Sequence, residues 1–222
     1  MATKTTVIRD SQMHKRTRPV ASEENTLLHI GCGRTAPPSW RNVDASPTVL
    51  LGSIPLFGRW LVPHPFPENV RYGDIVRGLN LSPGSCKAVF GSHMLEHLTY
   101  QGCLRALRNI YDLLSSQGTL RVIVPDLRGL VTHYLDHPDD DAASHFMRSS
   151  GLGEEVPSSP LRRLFGNSQH RWMWDEKSLT QVLCRTGFSR IRACTYGDNP
   201  LFEAVEDAHR YEDAVALEAV KP

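Results

Sequence analysis

No run of 18 apolar residues occurs in this chain, which excludes a membrane-spanning helix. The nearest stretch, Val49 to Phe57, is too short and is followed by Arg59, Pro63 and Pro65. Residues 1–26 include basic side chains but no apolar h-region, so no secretory signal is visible and a cytoplasmic protein is expected. An excess of one charge is also missing. The net charge of +1 argues against a dedicated electrostatic nucleic-acid binder, and no nucleic-acid partner is expected. Cysteine is sparse, odd in number and widely spaced: Cys32, Cys86, Cys103, Cys184 and Cys194 form no CxxC pair. Buried, reduced thiols fit this pattern better than a disulfide framework. No internal repeat is apparent.

What remains is ordinary soluble composition over 222 residues, enough for one domain with a sizeable core. Residues 1–24 read as a disordered leader in which Lys15, Arg16 and Arg18 form a solvated arm, and 25–222 as the domain. Thr26 to Ile30 is a short apolar run ending at glycine, as a central parallel strand does. Gly31 and Gly33 permit a sharp turn and close approach of a ligand. Arg41 to Asp44 reads as a second strand, and Val49 to Phe66 as a proline-broken cover with a short helix. Val70 to Tyr72 and Ala88 to Gly91 supply two more strands.

Leu104, Leu107, Ile110 and Leu114 recur at helical spacing, and Gly118 stands where a helix C-terminus favours glycine. Thr119 to Val124 is the strongest strand pattern and ends at Pro125-Asp126, after which Leu127 to Leu135 reads as helical. Periodicity is lost from His137 to about Ser168, an insertion (137–172 with its flank) of the length that usually shapes function. It returns with Asp175 as N-cap of a helix reaching Gly187. Phe188 to Tyr196 and Ala216 to Lys221 close the chain as strands. The alternation predicts an α/β, Rossmann-like, doubly wound, mostly parallel sheet of about seven strands, with an antiparallel strand near the C-terminus.

In such sheets ligands bind beyond the carboxyl ends of the strands. The residues to inspect are therefore Gly31, Cys32, Gly33, Asp44, Asp74, Ser92, His93, Pro125 and Asp126. Gly31 to Ala36 fits G-x-G-x-x-A literally, but Pro37-Pro38 works against the helix that would hold a pyrophosphate, and Asp44 comes too soon for the ribose acid of a dinucleotide.

Leu28 to Gly33, Asp44, Gly73-Asp74, the stretch Ser92 to Leu98, Gly118 to Asp126 and Gly187-Phe188, taken in this order, resemble the class I S-adenosylmethionine-dependent methyltransferases. The nearest likeness is to a small bacterial, methyltransferase type 11-like branch, and it covers roughly residues 26–222. The resemblance implies that S-adenosylmethionine is the cofactor. Gly31, Cys32 and Gly33 would cradle its methionine part, Asp44 its ribose hydroxyls, and Asp74 with Ile75 its adenine. Ser92 and His93 would face the methionine end and the acceptor. His29 stands where relatives often carry an acid for the methionine ammonium, Thr35-Ala36 replaces a third glycine, and Lys87 replaces an aspartate.

Methyl transfer needs a base only for a protonated acceptor. His93, Asp126 and His170 are the candidates, each with a plainer alternative: a loop histidine bonded to backbone, a helix cap, and a core-edge cluster with Arg171, Trp172 and Trp174. The acceptor is expected to be a small molecule or glycan precursor, and the oligomeric state stays open. His93 and His97 lie four apart, yet Glu96 is misplaced for H-E-x-x-H, so no metal is expected. Asp139 to Asp141 reads as a solvated turn. Two alternatives remain: a non-catalytic cofactor-binding scaffold, and an NAD(P)-dependent oxidoreductase.

Overall fold

In the computed structural model, residues 25–52, 54, 65–137, 139–152 and 169–222 are described. The leader 1–24, much of the cover 49–66 and residues 153–168 of the insertion lie outside them. Seven strands form one sheet: β1 (Thr26–Ile30), β2 (Arg41–Asp44), β3 (Val70–Tyr72), β4 (Cys86–Ser92), β5 (Leu114–Pro125), β6 (Ser189–Ala193) and β7 (Ala214–Val220). Their order is β3-β2-β1-β4-β5-β7-β6. The β1–β2, β2–β3, β1–β4 and β4–β5 pairs are parallel, while β7 runs antiparallel to both β5 and β6. The doubly wound sheet with one reversed strand near the C-terminus is therefore as the sequence predicts.

Five α-helices accompany it among the described residues: α1 (Pro47–Gly52), α2 (Tyr100–Leu113), α3 (Leu127–Asp136), α4 (Ala142–Ser149) and α5 (Glu176–Thr186). Thr99 caps α2 by accepting the Gly102 amide, and a reciprocal capping box between Asp175 and Ser178 starts α5. Gly187, at φ 112°, ends α5 in the left-handed conformation that suits glycine.

Side chains alternate across the central strands, so each sheet face acquires its own core. Val89, Leu120, Val122 and Val124 join Leu107, Ile110, Leu179 and Leu183 of α2 and α5 on one face. Ala88, Phe90 and Ile123 meet Trp40, Phe202 and Val205 on the other. Arg121 shares that second parity and is fully buried. No helix among the described residues is long and apolar enough to cross a membrane.

The structure corrects three expectations. Gly118 does not follow a helix end. Helix α2 stops at Leu113 and Gly118 lies within β5, where a Cβ would come 2.8 Å from the Ser115 carbonyl. The aperiodic insertion contains α4. No residue of that helix is buried, and it meets α3 through Phe146 on Tyr134 at 5.7 Å and His145 on His133 at 5.2 Å. All five cysteines are free thiols, but Cys184 is exposed rather than buried.

Candidate active site

Strand order reverses at β1, whose neighbours β2 and β4 continue the sheet in opposite directions. A crevice opens there beyond the carboxyl ends of the strands. It widens into a cavity of about 980 Å³ whose wall includes His29, Gly31, Cys32, Gly33, Asp44, Asp74, Ile75, Ser92 and His93. Asp126 and His170 are not part of that wall.

The turn after β1 is built from two left-handed glycines, Gly31 at φ 59° and Gly33 at φ 53°. A Cβ on Gly31 would stand 2.8 Å from Met94 Cβ, whereas one on Gly33 would meet nothing within 4 Å and project into open space. Asp44 closes the turn. Its Oδ2 accepts the Gly33 amide at 3.0 Å and its Oδ1 the Ser46 amide at 2.8 Å. A carboxylate offers about four lone-pair sites, so two stay available to hydroxyl donors. The Cys32 thiol is pushed up to about 12 by burial and by the charge of Asp44, which makes it an inert packing group.

His29 is 3 % exposed and packs edge-on against Phe90 at 5.2 Å and Trp40 at 6.5 Å. Burial pulls its pKa down to about 4, despite the opposing influence of the Asn42 side chain and Thr35 backbone. The ring is therefore neutral near pH 7. Its Nδ1 is buried without a hydrogen-bond partner among the described residues, as is Ser92 Oγ. Two unsatisfied polar atoms thus belong to residues that line the same cavity. Beyond β3, beside Asp44, Asp74 Oδ1 accepts the Val76 amide at 2.9 Å and Oδ2 stands 3.3 Å from Arg77 Nε. Asn109 donates to the Ile75 carbonyl at 2.7 Å and fixes that loop.

His93 follows β4 at φ 50°, a strained value for a residue with a side chain. Its Nε2 donates to the Arg210 carbonyl at 2.9 Å, and its Nδ1 lies 3.4 Å from Glu96 Oε1. Burial lowers its pKa, but the Glu96 carboxylate and the Arg210 carbonyl outweigh that, and the net direction is upward. Asp126 caps α3 by accepting the Arg128 amide at 2.9 Å. His170 sits beside His97 at 5.0 Å between ring centroids, and its Nδ1 donates to the Ser150 carbonyl at 2.7 Å. Trp172 rests on Tyr100 at 4.8 Å, whereas Trp174 is buried in the core.

Arg171, read from the sequence as part of an acceptor-suited cluster around His170, lines the cavity, and so do Asp207 and Arg210, to which sequence reading gave no role. The last two arrive on the segment between β6 and β7, which Arg121 anchors. That guanidinium donates to Asp198 at 2.5 Å, to Glu218 at 2.6 Å and to Glu206, lies 4.6 Å from the Phe202 ring centroid, and has its pKa raised because the carboxylates outweigh burial. An arginine inside the strongest strand pattern was the one available signal.

No family model and no curated protein sequence matches the chain. Solved structures do. A SAM-dependent methyltransferase of Thermotoga maritima, described as a possible histamine N-methyltransferase, is 15% identical with a TM-score of 0.50, over 90% of this chain and 83% of that one. One from Archaeoglobus fulgidus is 16% identical with a TM-score of 0.49, over 90% and 87%. Phosphoethanolamine N-methyltransferase 2 of Haemonchus contortus is 16% identical with a TM-score of 0.48, over 90% of this chain and 49% of its own, so the chain spans about half that enzyme's length. At such identities the likeness is one of fold.

Proposed function

We propose that this protein binds S-adenosylmethionine and transfers its methyl group to a small-molecule or glycan-precursor acceptor. The observation that carries the reading is the Asp44 carboxylate, held by the Gly33 and Ser46 amides at the lip of a strand-end cavity whose wall also bears Asp74. A ribose diol would take the remaining lone pairs of Asp44. The opened Gly31–Gly33 backbone would receive the methionine part, and the Asp74–Ile75 loop the adenine. The residues fit the group: Gly33 leaves the space a Cβ would enter, and His29 and Ser92, each with a buried polar atom unpaired among the described residues, line the same cavity. A neutral imidazole at His29 is able to accept from an ammonium, in place of an acid.

When bound, the cofactor supplies an electrophilic methyl carbon on a sulfonium centre. The chain's part is proximity and orientation of an acceptor. Among the candidate bases, His93 lines the cavity, and its imidazole is held between Glu96 and the Arg210 carbonyl. It would take a proton from the acceptor once released from one of those contacts. Arg171 and Arg210 in the same wall favour an acceptor bearing an anionic or strongly polar group. No helix opens within residues 34–40, so a dinucleotide pyrophosphate would lack the helix N-terminus it uses, which disfavours the NAD(P) reading. The free thiols suit a cytoplasmic setting.

Calorimetry with S-adenosylmethionine, S-adenosylhomocysteine and NADH tests the proposal. Saturable binding of both adenosyl compounds is expected. Binding of NADH alone overturns it, and adenosyl binding without turnover on a broad acceptor panel favours the scaffold.

A further inference from the structure

Glu96 is 0 % exposed, and neither of its carboxylate oxygens has a hydrogen-bond partner among the described residues. A buried carboxylate left this way costs several kcal/mol unless a cation or proton stands beside it, on the order of what desolvation of an ion requires. His93 Nδ1 lies 3.4 Å away but without hydrogen-bond geometry. Among the described residues, the buried Cys103 thiol and two imidazoles also stand near Glu96. One ligand atom each from Glu96, His97 and His170 lies within 4.8 Å of the other two.

The hydrogen bonds of the two rings fix what those imidazoles offer. His97 Nδ1 pairs with the Gln169 carbonyl at 3.3 Å, and His170 Nδ1 with the Ser150 carbonyl at 2.7 Å. A carbonyl accepts only, so each Nδ1 carries a hydrogen, and in the neutral ring Nε2 is the nitrogen that offers a lone pair. A backbone carbonyl that sets the tautomer from the far nitrogen is the usual outer-shell support of a metal-bound histidine. The backbone holds the group together as well. The amides of Arg171 and Trp172 donate to the Glu96 carbonyl at 2.7 and 3.2 Å, and His170 donates its amide to the Gly151 carbonyl at 3.2 Å. The His170 ring lies directly against Gly151, where a Cβ would come 2.5 Å from Nδ1.

We propose that Glu96, His97 and His170 form a three-ligand site for a divalent transition-metal ion of the zinc class. Two imidazoles with one carboxylate select such an ion over magnesium or calcium, which prefer all-oxygen sets. Ligand atoms on a tetrahedral ion with bonds near 2.0 Å lie roughly 3.3 Å apart, so loading closes the group by small side-chain rotations. Three protein ligands leave at least one position for water or for an oxygen of a bound molecule. His97 belongs at once to this group and to the wall of the large cavity. The ion would also tie the turn after β4 to the backbone at 150–151 and 169–172. His93 and His97, four apart in sequence, do not form the site. The third ligand arrives 73 positions after His97, which is why spacing alone could not find it.

The test uses the full chain, stripped with chelator and titrated with Co²⁺ while visible d–d absorption is followed, then with Zn²⁺ in competition. One equivalent per chain is expected, undisturbed by millimolar Mg²⁺. His97→Ala, His170→Ala and Glu96→Gln should each weaken binding at least about tenfold, with far-ultraviolet circular dichroism unchanged. The variant His133→Ala/His145→Ala, altering a second histidine group on α3 and α4, should bind as the parent does. Absence of saturable Co²⁺ binding overturns the proposal, as does binding that persists unchanged in His97→Ala/His170→Ala. If Glu96→Gln fails to fold, the histidine variants decide alone. The readout needs neither the adenosyl cofactor nor turnover, so this site and the proposed methyl transfer stand or fall separately.

Discussion

Asp44 accepts the backbone amide of Gly33 at 3.0 Å, tying the end of β2 to the glycine turn after β1. The same carboxylate would hold the ribose in the proposed complex. Charge-assisted hydrogen bonds contribute about 1.5–3 kcal/mol each. Asp44→Ala is therefore expected to weaken S-adenosylhomocysteine binding by at least tenfold in calorimetry, and Asp44→Asn by less. An unchanged dissociation constant in both variants removes the ribose assignment.

His29 predicts how stability depends on pH. Its folded-state pKa of about 4 lies below the ordinary histidine value of 6.5, so between those values the unfolded chain binds a proton that the native one refuses. Its contribution is complete above pH 6.5 and is lost as pH falls toward 4, by about 3 kcal/mol at most. Urea denaturation at pH 7.5, 5.5 and 4.5 should show this decline. His29→Leu should flatten it, and an equal slope in the variant rules His29 out as its source.

Arg121 supports the cavity wall from a distance. Arg121→Met leaves Asp198, Glu206 and Glu218 without their shared cation and is expected to cost about 3–5 kcal/mol. Depressed carboxylate pKa values accompany this network: opposing burial, Arg192, Arg121 and the Thr195 amide bring Asp198 down to about 2. The support it gives is present above pH 3.8 and fades as pH falls toward 2. Chemical denaturation of the variant checks the magnitude, and a loss below 1 kcal/mol would mean the network is dispensable.

His93→Asn separates catalysis from binding. Asparagine tolerates the left-handed backbone better than most residues, so the fold should survive. Turnover on an identified acceptor with an ionisable oxygen or nitrogen should drop roughly 10²–10⁴-fold, the range for loss of a positioned base. The cofactor dissociation constant should stay within about threefold. Unchanged turnover would reduce His93 to a loop anchor.

Gly31→Ala combines a left-handed φ of 59° with a 2.8 Å approach to Met94 Cβ. It should lower stability by about 1–3 kcal/mol and weaken adenosyl-cofactor binding in parallel. Gly33→Ala, free of that clash, should retain more stability and lose binding instead, as its Cβ would enter open space. Thermal denaturation with and without S-adenosylhomocysteine distinguishes the two.

The sequence by itself determined the sheet, its reversed C-terminal strand and the chain of strand-end residues from Gly31 to His93, because period-2 and period-3.6 patterns and glycine turns are local properties. It did not reveal α4, which has no buried residue and meets α3 through the Tyr134–Phe146 and His133–His145 ring pairs. The switch between strand and helix after Leu113 escaped it too, since no glycine or proline marks that junction. What only the tertiary structure decided is which distant groups meet. Arg210 reaches His93 across 117 positions, Glu206 reaches Arg121 across 85, and His170 reaches His97 across a whole insertion. Burial then fixed the chemistry. It neutralised His29, silenced Cys32 and left the Glu96 carboxylate without a hydrogen bond among the described residues, and none of these follows from residue type, because each depends on how much water the finished fold excludes.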